Sequence, residues 1–130
     1  MDFDFVVPGP PRPLGRPRTT VTPTGKLRTY TPKESHKYEN IVRWAAIAAR
    51  PRTWSIEGAF ALSVRAFWPD AKKRDLDNLV KGVSDAIIGV AFKDDVQVTE
   101  LHAWAEIDGA RPRVEVSVRS LSNESARSGP

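Results

Sequence analysis

Aspartate is concentrated in one part of this sequence. Asp75, Asp77, Asp85, Asp94 and Asp95 fall within 21 consecutive positions. Two carboxylates held about 4 Å apart repel each other by roughly 4 kcal/mol at an effective dielectric constant near 20. Such a group of acids is stable only if its members are exposed to water or share a bound cation. The second possibility would make this part of the chain a metal site.

The surrounding pattern predicts how these acids are positioned. Apolar residues recur at helical spacing: Leu76, Leu79, Val80, Val83 and Ile87. They predict an amphipathic helix over about 76–88, with Gly89 as its C-cap. Asp77 then lies at the helix start, and Lys81 and Asp85 share its face because they follow at intervals of four. Asp75 precedes the helix and Asp94-Asp95 precede the next strand, so the two groups can meet at one end of a sheet.

This arrangement of carboxylates would suit a divalent cation. Mg²⁺ and Mn²⁺ prefer hard oxygen ligands and leave coordination positions for water and phosphate. Phosphodiester hydrolysis needs far more acceleration than the roughly 10²–10⁴-fold that general acid–base catalysis supplies, and a metal that activates water can provide it. An EF-hand is excluded, because the segment that begins at Asp75 has Val80, not glycine, at its sixth position.

Each fragment also has a structural explanation. Aspartate at a helix N-terminus is favoured by capping and by the helix dipole. Asp77, Lys81 and Asp85 could form ordinary surface pairs, and Asp94-Asp95 could be turn residues. The combination of all of them in one segment favours the metal site.

The basic residues are concentrated elsewhere. Residues 1–52 hold ten basic and four acidic side chains, whereas residues 70–108 hold five basic and nine acidic ones. A basic arm joined to an acidic centre suits a polyanion-binding surface around a metal site. In the Pro-rich stretch before the first hairpin, Arg12, Arg16 and Arg18 are the predicted phosphate contacts. Lys72, Lys73 and Arg74 form a second basic group, which could also be a simple solvated loop.

The remaining pattern predicts one α/β (α+β) domain with a mixed sheet and two main helices. Strands are predicted at 3–7, 56–68, 96–107 and 114–118, with the last two joined in a hairpin around Asp108-Gly109. A basic Pro/Arg loop and hairpin span 8–30, and a helix from Pro32 to Pro51 should bury a stripe of five residues: Tyr38, Ile41, Trp44, Ala45 and Ala48. The domain is expected over 1–119, with a disordered tail over 120–130.

The composition favours a cytoplasmic protein. The chain has no cysteine and no long apolar run, and its start lacks the features of a signal peptide. We therefore expect no membrane association.

Several motifs together resemble the RusA family of crossover-junction (Holliday junction) endodeoxyribonucleases. The central ones are Arg74-Asp75-Leu76-Asp77-Asn78-Leu79-x-Lys81 and Phe92-Lys93-Asp94-Asp95-x-Gln97-Val98. Further similar segments are Val7-Pro8-Gly9-Pro10, Gly15-Arg16-Pro17-Arg18, Tyr30-Thr31-Pro32-Lys33 and Pro112-Arg113-Val114-Glu115-Val116. The similarity extends over roughly residues 3–119. One departure is that many relatives have lysines just before Gly-Arg-Pro-Arg, where this chain has Pro10, Pro13 and Leu14.

The resemblance implies roles for these residues. Asp75, Asp77 and Asp95 match catalytic metal-binding aspartates of the family, with Asp94 as an adjacent support. Lys81 matches a catalytic lysine, and Arg74 matches a position implicated in DNA contact. The family also implies Mg²⁺ dependence with Mn²⁺ as a substitute, a homodimer, and paired cuts across a four-way DNA junction in recombination and repair. Two symmetry-related cuts agree with a two-fold dimer.

Other functions remain open from the sequence. The chain could be a less selective nuclease for branched DNA, or a junction-binding protein without catalysis. It could also be an interaction domain whose acids are surface features.

Overall fold

A computed structural model describes residues 1–13, 18–30 and 33–121, without the side chains of 18–20, 29–30 and 33–35. Six strands and two α-helices make up the described fold: β1 (Asp2–Pro8), β2 (Arg18–Val21), β3 (Leu27–Tyr30), α1 (Lys33–Ala49), β4 (Phe60–Trp68), α2 (Leu76–Ala86), β5 (Val98–Ile107) and β6 (Arg113–Ser120). One turn of 3₁₀-helix, Asp95–Gln97, precedes β5. This is the single α+β domain with a mixed sheet and two main helices that the sequence predicts.

The main sheet has the strand order β1-β6-β4-β5. β6 is antiparallel to both β1 and β4, and β5 is parallel to β4. The predicted hairpin between β5 and β6 is therefore wrong, because β4 lies between them. The cause is the crossover through α2: it returns the chain to the start of β4, so β5 must pair parallel to it. β6 then occupies the remaining edge of β4, where its alternate valines are buried.

The predicted hairpin near the N-terminus is confirmed. β2 and β3 pair antiparallel, with Arg18 opposite Tyr30 and Val21 opposite Leu27. Gly25 lies in the turn with a φ of 84°, a left-handed conformation that glycine adopts without strain.

The core lies on one side of the main sheet. Alternate residues of β1, β4 and β6 point toward it, and so do single faces of α1 and α2. The largest fully buried side chains include Phe60, Phe92, Leu62, Leu79 and Ile87. Each such side chain contributes about 1.5–3 kcal/mol through burial. The opposite side of the sheet is not covered by either helix and has polar and charged residues.

α1 buries a different face from the predicted one. Val42 and Ala46 are fully buried, and Tyr38 and Ala45 pack at the edge of the core. By contrast, Trp44 is 67% exposed and Ile41 is 51% exposed. The apolar stripe on this helix is wider than the surface that the sheet and α2 can cover, so periodicity alone does not identify the buried side.

The ends of several elements differ from the prediction: β4 begins at Phe60, not at position 56, and β5 begins at Val98, not at position 96. α2 ends at Ala86 with Ile87 as its C-cap. Gly89 does have a left-handed φ of 85°, but in the turn that follows the helix. At the other end of the chain, β6 continues to Ser120, and Leu121 is buried with its N–H bonded to the Ala59 carbonyl at 2.8 Å. The rest of the predicted tail, 122–130, lies outside the described residues.

Neither described helix is long and apolar enough to cross a membrane.

Arg113 connects the start of β6 to the turn before it. Its Nη1 donates to Asp108 Oδ2 at 2.9 Å, its Nε donates to Glu115 Oε2 at 2.9 Å, and its guanidinium lies 3.7 Å from the Phe67 ring centroid. The hydrogen bond from Arg113, followed by that from the Arg111 amide, lowers the pKa of Asp108. A carboxylate with a lowered folded-state pKa stabilises the fold at pH values above its unfolded pKa of about 3.9.

We predict that Asp108→Asn lowers the melting temperature at pH 7. The difference from the wild type should shrink as pH falls below about 4 and through the lowered pKa, because both proteins then lack the charge. Thermal unfolding monitored by circular dichroism between pH 7 and pH 2 measures this. Combining Asp108→Asn with Arg113→Gln should give non-additive effects at pH 7 and additive ones at low pH; a loss that is independent of pH would contradict the explanation.

Candidate active site

Asp75 caps the N-terminus of α2. It has an extended backbone, and its Oδ1 accepts a hydrogen bond from the Asn78 amide at 3.1 Å. The helix begins here because this bond satisfies one of the amides that lack an intrahelical partner. Only one carboxylate oxygen is used in this bond. The other oxygen and the exposed carboxylate of Asp77 both lie near the positive end of the helix dipole.

Lys81 and Asp85 lie further along the same face of α2. Lys81 Nζ is 3.8 Å from Asp85 Oδ2, and the lysine side chain is 62% exposed. The predicted support of Lys81 by Asp85 is therefore present as an i,i+4 ion pair. In water such a pair contributes only about 0.3–0.5 kcal/mol, so it orients the lysine more than it stabilises the helix.

Asp94 and Asp95, which precede β5, are hydrogen-bonded to each other through their side chains. Asp94 Oδ1 accepts from the Val96 amide at 3.1 Å and so caps the 3₁₀ turn. This bond, with a further one from Asp95, lowers the pKa of Asp94. The pKa of Asp95 is raised, first by its hydrogen bond with Asp94 and then by burial and the charge of Asp94, whereas Lys81 opposes the rise. Of the two carboxyls, Asp95 therefore has the higher affinity for a proton.

The two groups of acids come from opposite ends of the sheet. α2 starts beyond the C-terminal end of β4, whereas Asp94 and Asp95 precede the N-terminal end of the parallel strand β5. The expectation that the two groups meet at one end of the sheet is wrong. In a parallel crossover the helix begins at the C-terminal end of the first strand, whereas the second strand begins at the opposite end of the sheet. They approach each other only because α2 runs back along the sheet toward Asp95.

Three of the predicted residues line one cavity between α2 and β5. Asp77, Lys81 and Asp95 contribute its charged groups, and the volume is about 360 Å³. The other lining residues are Ser84 and the apolar Leu62, Val80, Val98, Leu101 and Ala103. A second, open depression of about 480 Å³ is lined by residues 73–77, including Asp75 and Asp77. Asp77 is common to both.

The structure agrees only in part with the predicted set of metal ligands. Among the described residues, no three His, Cys, Asp or Glu side chains are grouped closely enough to hold a metal ion. Asp75, Asp77 and Asp95 therefore do not form a ready three-carboxylate cage within one chain. Mg²⁺, however, is usually bound by one or two carboxylates together with water and substrate phosphates. Asp77 and Asp95 supply that smaller donor set on one cavity, so the chemistry fits.

Gln97 fixes the loop that carries Asp94 and Asp95. Its Oε1 accepts from the amides of Lys93 at 2.7 Å and Asp94 at 2.9 Å. Its Nε2 donates to the carbonyls of Ile56 and Gly58, both at 2.9 Å. An ion pair between Lys93 and Glu57 spans the same gap. The acidic loop is thus attached to the segment that leads into β4.

Hydrogen bonds from α1 and from the segment after it fix the residues between α2 and the acidic loop. Arg43 Nη1 donates to the Ile88 carbonyl at 2.8 Å, and Arg50 Nη1 donates to Val90 at 3.0 Å. The buried Trp54 donates through Nε1 to Ala91 at 2.8 Å. No local pattern in the sequence indicates these residues, because their partners are backbone carbonyls about 40 positions away. Gln97 was visible only as part of a motif.

The predicted DNA-binding residues differ in their exposure and in their contacts within the chain. Lys72 and Lys73 are exposed beside the open depression. Arg74 is used within its own loop, since Nη1 donates to Asp70 Oδ1 at 2.6 Å and the guanidinium lies 5.1 Å from the Trp68 ring centroid. Arg12 is exposed. Arg16 and the side chain of Arg18 lie outside the described residues. DNA contact by these residues stays a prediction.

Comparison with known proteins identifies the family. The family model described as "Endodeoxyribonuclease RusA" matches residues 8–119, which include both acidic groups, Lys81 and Gln97. The chain belongs to the RusA family. A curated protein of Bacillus subtilis (strain 168), named "Uncharacterized protein YqaN", is 32% identical over an alignment of 139 positions that covers 91% of this chain and 96% of that protein. The predicted family is thus confirmed, and RusA membership indicates endodeoxyribonuclease activity on branched DNA.

We predict that Gln97→Ala loosens the acidic loop of this RusA-family protein. Gln97 makes one partly buried and three exposed hydrogen bonds, so their loss should lower the free energy of unfolding by about 0.5–1.5 kcal/mol. The Lys93 and Asp94 amides should also exchange their hydrogens faster. Gln97→Glu is the matched control: its carboxylate still accepts from these amides but cannot donate to Ile56 and Gly58. Equal amide exchange in all three proteins would show that Gln97 does not fix the loop.

Proposed function

We propose that this RusA-family protein is a metal-dependent, structure-selective DNA endonuclease. It resolves four-way (Holliday) junctions by paired symmetric cuts and acts in DNA recombination and repair. The observation that carries the proposal is the placement of Asp77, Lys81 and Asp95 on one cavity, in a chain of an endodeoxyribonuclease family.

The proposed cofactor is Mg²⁺, for which Mn²⁺ can substitute. When bound, such an ion lowers the pKa of a water molecule and polarises a phosphoryl oxygen. Asp77 and Asp95 would hold it. Asp75, which caps α2 through only one carboxylate oxygen, and the adjacent Asp94 would join when DNA binds.

Lys81 is proposed to stabilise the charge that develops on the phosphate. Its ammonium group is exposed, so DNA can reach it, and Asp85 restricts its position from the adjacent turn. A positive charge near the scissile phosphate helps most in the transition state, where the phosphoryl oxygens carry additional negative charge. The basic residues of the N-terminal arm, with Lys72 and Lys73, would hold the DNA backbone through phosphate contacts.

The proposed enzyme acts as a homodimer. A four-way junction has two-fold symmetry, and each described chain contributes one cavity with this set of residues. Two cuts in strands of the same polarity therefore need two copies related by a two-fold axis.

Cleavage of synthetic DNA tests the function. With Mg²⁺, the protein should cut a four-way junction at symmetric positions and leave a linear duplex of the same sequence intact. Equal cutting of both substrates would favour the less selective branched-DNA nuclease, and binding without any cutting would favour the junction-binding protein.

Asp77→Asn should reduce the cleavage rate by at least about 10²-fold while junction binding persists, because one charged ligand is lost but the basic residues remain. Asp4→Asn is the control, since it removes the same charge from an exposed position on β1, which has no part in the cavity. Normal cutting by Asp77→Asn in gel-based assays would contradict the site assignment.

Lys81→Ala should lower the single-turnover rate by on the order of 10²-fold with little change in the dissociation constant for the junction. Lys81→Arg should restore part of the rate, because the charge is retained. If Lys81→Ala changed only junction affinity, the lysine would be a DNA-binding residue with no role in the chemistry.

A further inference from the structure

The open face of the main sheet carries a groove that the proposed function does not use. Strand pairing places four side chains of this face in one row across the sheet: Asp4 on β1, Ser117 on β6, Ser63 on β4 and His102 on β5. The two serines are small, and longer arginine and glutamate side chains flank them in the adjacent rows. Two depressions, of about 370 and 260 Å³, meet at these serines. We call this surface the serine groove. Because strands are about 4.8 Å apart, it is roughly 14 Å long.

The floor of the serine groove has polar groups that are available to a ligand. Neither the Ser63 hydroxyl nor the Ser117 hydroxyl makes a hydrogen bond to another described residue. Both side chains are half-buried, so they are accessible from the open side of the sheet. A hydroxyl donates one hydrogen bond and accepts two, so each can pair with either an N–H or a C=O group of an extended backbone.

The open face has an excess of negative charge, although the chain as a whole has a net charge of +4. Its strands contribute five acids and three arginines to this face: Asp2, Asp4, Glu100, Glu106, Glu115, Arg65, Arg113 and Arg119. Each of the three glutamates has an arginine within 4.0 Å. Asp2 and Asp4 are exposed, and neither forms an ion pair with another described residue. Such a face repels the DNA backbone and attracts a basic partner.

Apolar surface lies beside the unpaired acids. Trp104 is 45% exposed and Val6 is 50% exposed, and both line the larger depression together with Asp4. Arginine and lysine pack their long apolar stems on such a surface while the charged end reaches a carboxylate. A guanidinium also binds over an aromatic ring, as Arg65 already does at 5.2 Å from the Trp104 ring centroid. A bare metal ion does not fit, because the described acids are not grouped closely enough to hold one.

We propose that the serine groove binds a basic, extended segment of a protein partner. One arginine or lysine of that segment lies between Asp4 and Trp104, and the serine hydroxyls bond to its backbone. Four residues in extended conformation span about 13 Å, which matches the length of the groove. Basic arms of this kind are typical of proteins that bind nucleic acid, so such a protein is the favoured class of partner.

The serine groove lies on the side of the sheet opposite the candidate active site. Neither of its depressions shares a lining residue with the cavity that contains Asp77, Lys81 and Asp95. A partner bound in the groove would therefore leave that cavity open to DNA. The inference goes beyond the proposed function: it concerns attachment of this protein to another one, and it does not depend on cleavage chemistry.

Peptide titration tests the proposal. At low ionic strength, labelled tetra-arginine should bind saturably in fluorescence anisotropy, and tetra-glutamate should not bind. In NMR spectra, tetra-arginine should shift the amide signals of Ser63 and Ser117 and the indole signal of Trp104. Added salt should weaken binding, because the charges involved are exposed. Absence of saturable binding, or shifts confined to α2 and the acidic loop, would overturn the proposal.

Two charge-matched double variants separate the groove from general attraction of cations. Asp2→Asn with Asp4→Asn should weaken tetra-arginine binding by about three- to tenfold, because two exposed charge interactions are lost. Asp75→Asn with Asp77→Asn removes the same charge near the active site, and asparagine caps a helix as well as aspartate does. This second variant should retain the shifts in the groove. Equal weakening by both double variants would show general attraction only and would refute a specific site.

Ser117→Leu tests the shape of the groove at constant charge. The larger side chain should fill the floor and abolish saturable tetra-arginine binding, while circular dichroism shows an unchanged fold. Unaltered binding by this variant would contradict the proposed position of the segment.

Junction assays separate this inference from the proposed function. Ser117→Leu, and Asp2→Asn with Asp4→Asn, should bind and cut four-way junctions as the wild type does. Weaker junction binding by Ser117→Leu would show that the groove belongs to the DNA-binding surface, and it would overturn the inference. A wild-type protein that binds tetra-arginine in the groove but cuts no junction would support the inference and refute the proposed function.

Discussion

The parallel pairing of β4 and β5 is the constraint on which the rest of this structure depends. β4 is hydrogen-bonded on both edges, and seven of its nine residues are buried. A parallel neighbour can be reached only by a crossover, and α2 provides it. The helix therefore has to run back along the sheet, and its polar face then lies beside the start of β5. Because of this topology, Asp77 and Lys81 lie near Asp95, although α2 starts beyond the C-terminal end of β4 and Asp95 precedes the N-terminal end of β5.

The acidic loop is held by contacts that come from outside the crossover. Gln97 attaches the loop to the segment before β4, while Arg43, Arg50 and Trp54 attach the chain before it to α1 and the residues that follow α1. Most of these bonds end on backbone carbonyls that have no partner within a helix or strand. They satisfy polar groups that would otherwise be costly to bury, and they restrict the position of two carboxylates that repel each other. The same bonds thus serve stability and the proposed chemistry.

The charges are divided between the two faces of the sheet. On the helix side, the acids around the cavity lie close to one lysine. On the open side, the arginines are paired with acids on neighbouring strands, as Arg65 is with Glu106 and Glu115. The open face therefore has little net positive charge with which to bind DNA. β5 contributes to both faces and ends the sheet.

The sequence by itself determined the elements, the family and the identity of the candidate site residues. Alternating apolar residues in β1, β4 and β6, the helical spacing from Leu76 to Val83, and the placement of Asp77, Lys81 and Asp85 on one face are local properties of the chain. Tertiary structure alone decided that β6, not β5, lies between β4 and β1, that α1 exposes Trp44, and that Asp95 approaches Lys81. It also decided that the three predicted aspartates do not form a closed cage in one chain. These outcomes depend on which helix and strand surfaces pack into the same core. They also depend on hydrogen bonds between residues about 40 positions apart. A local pattern of residues contains neither kind of information.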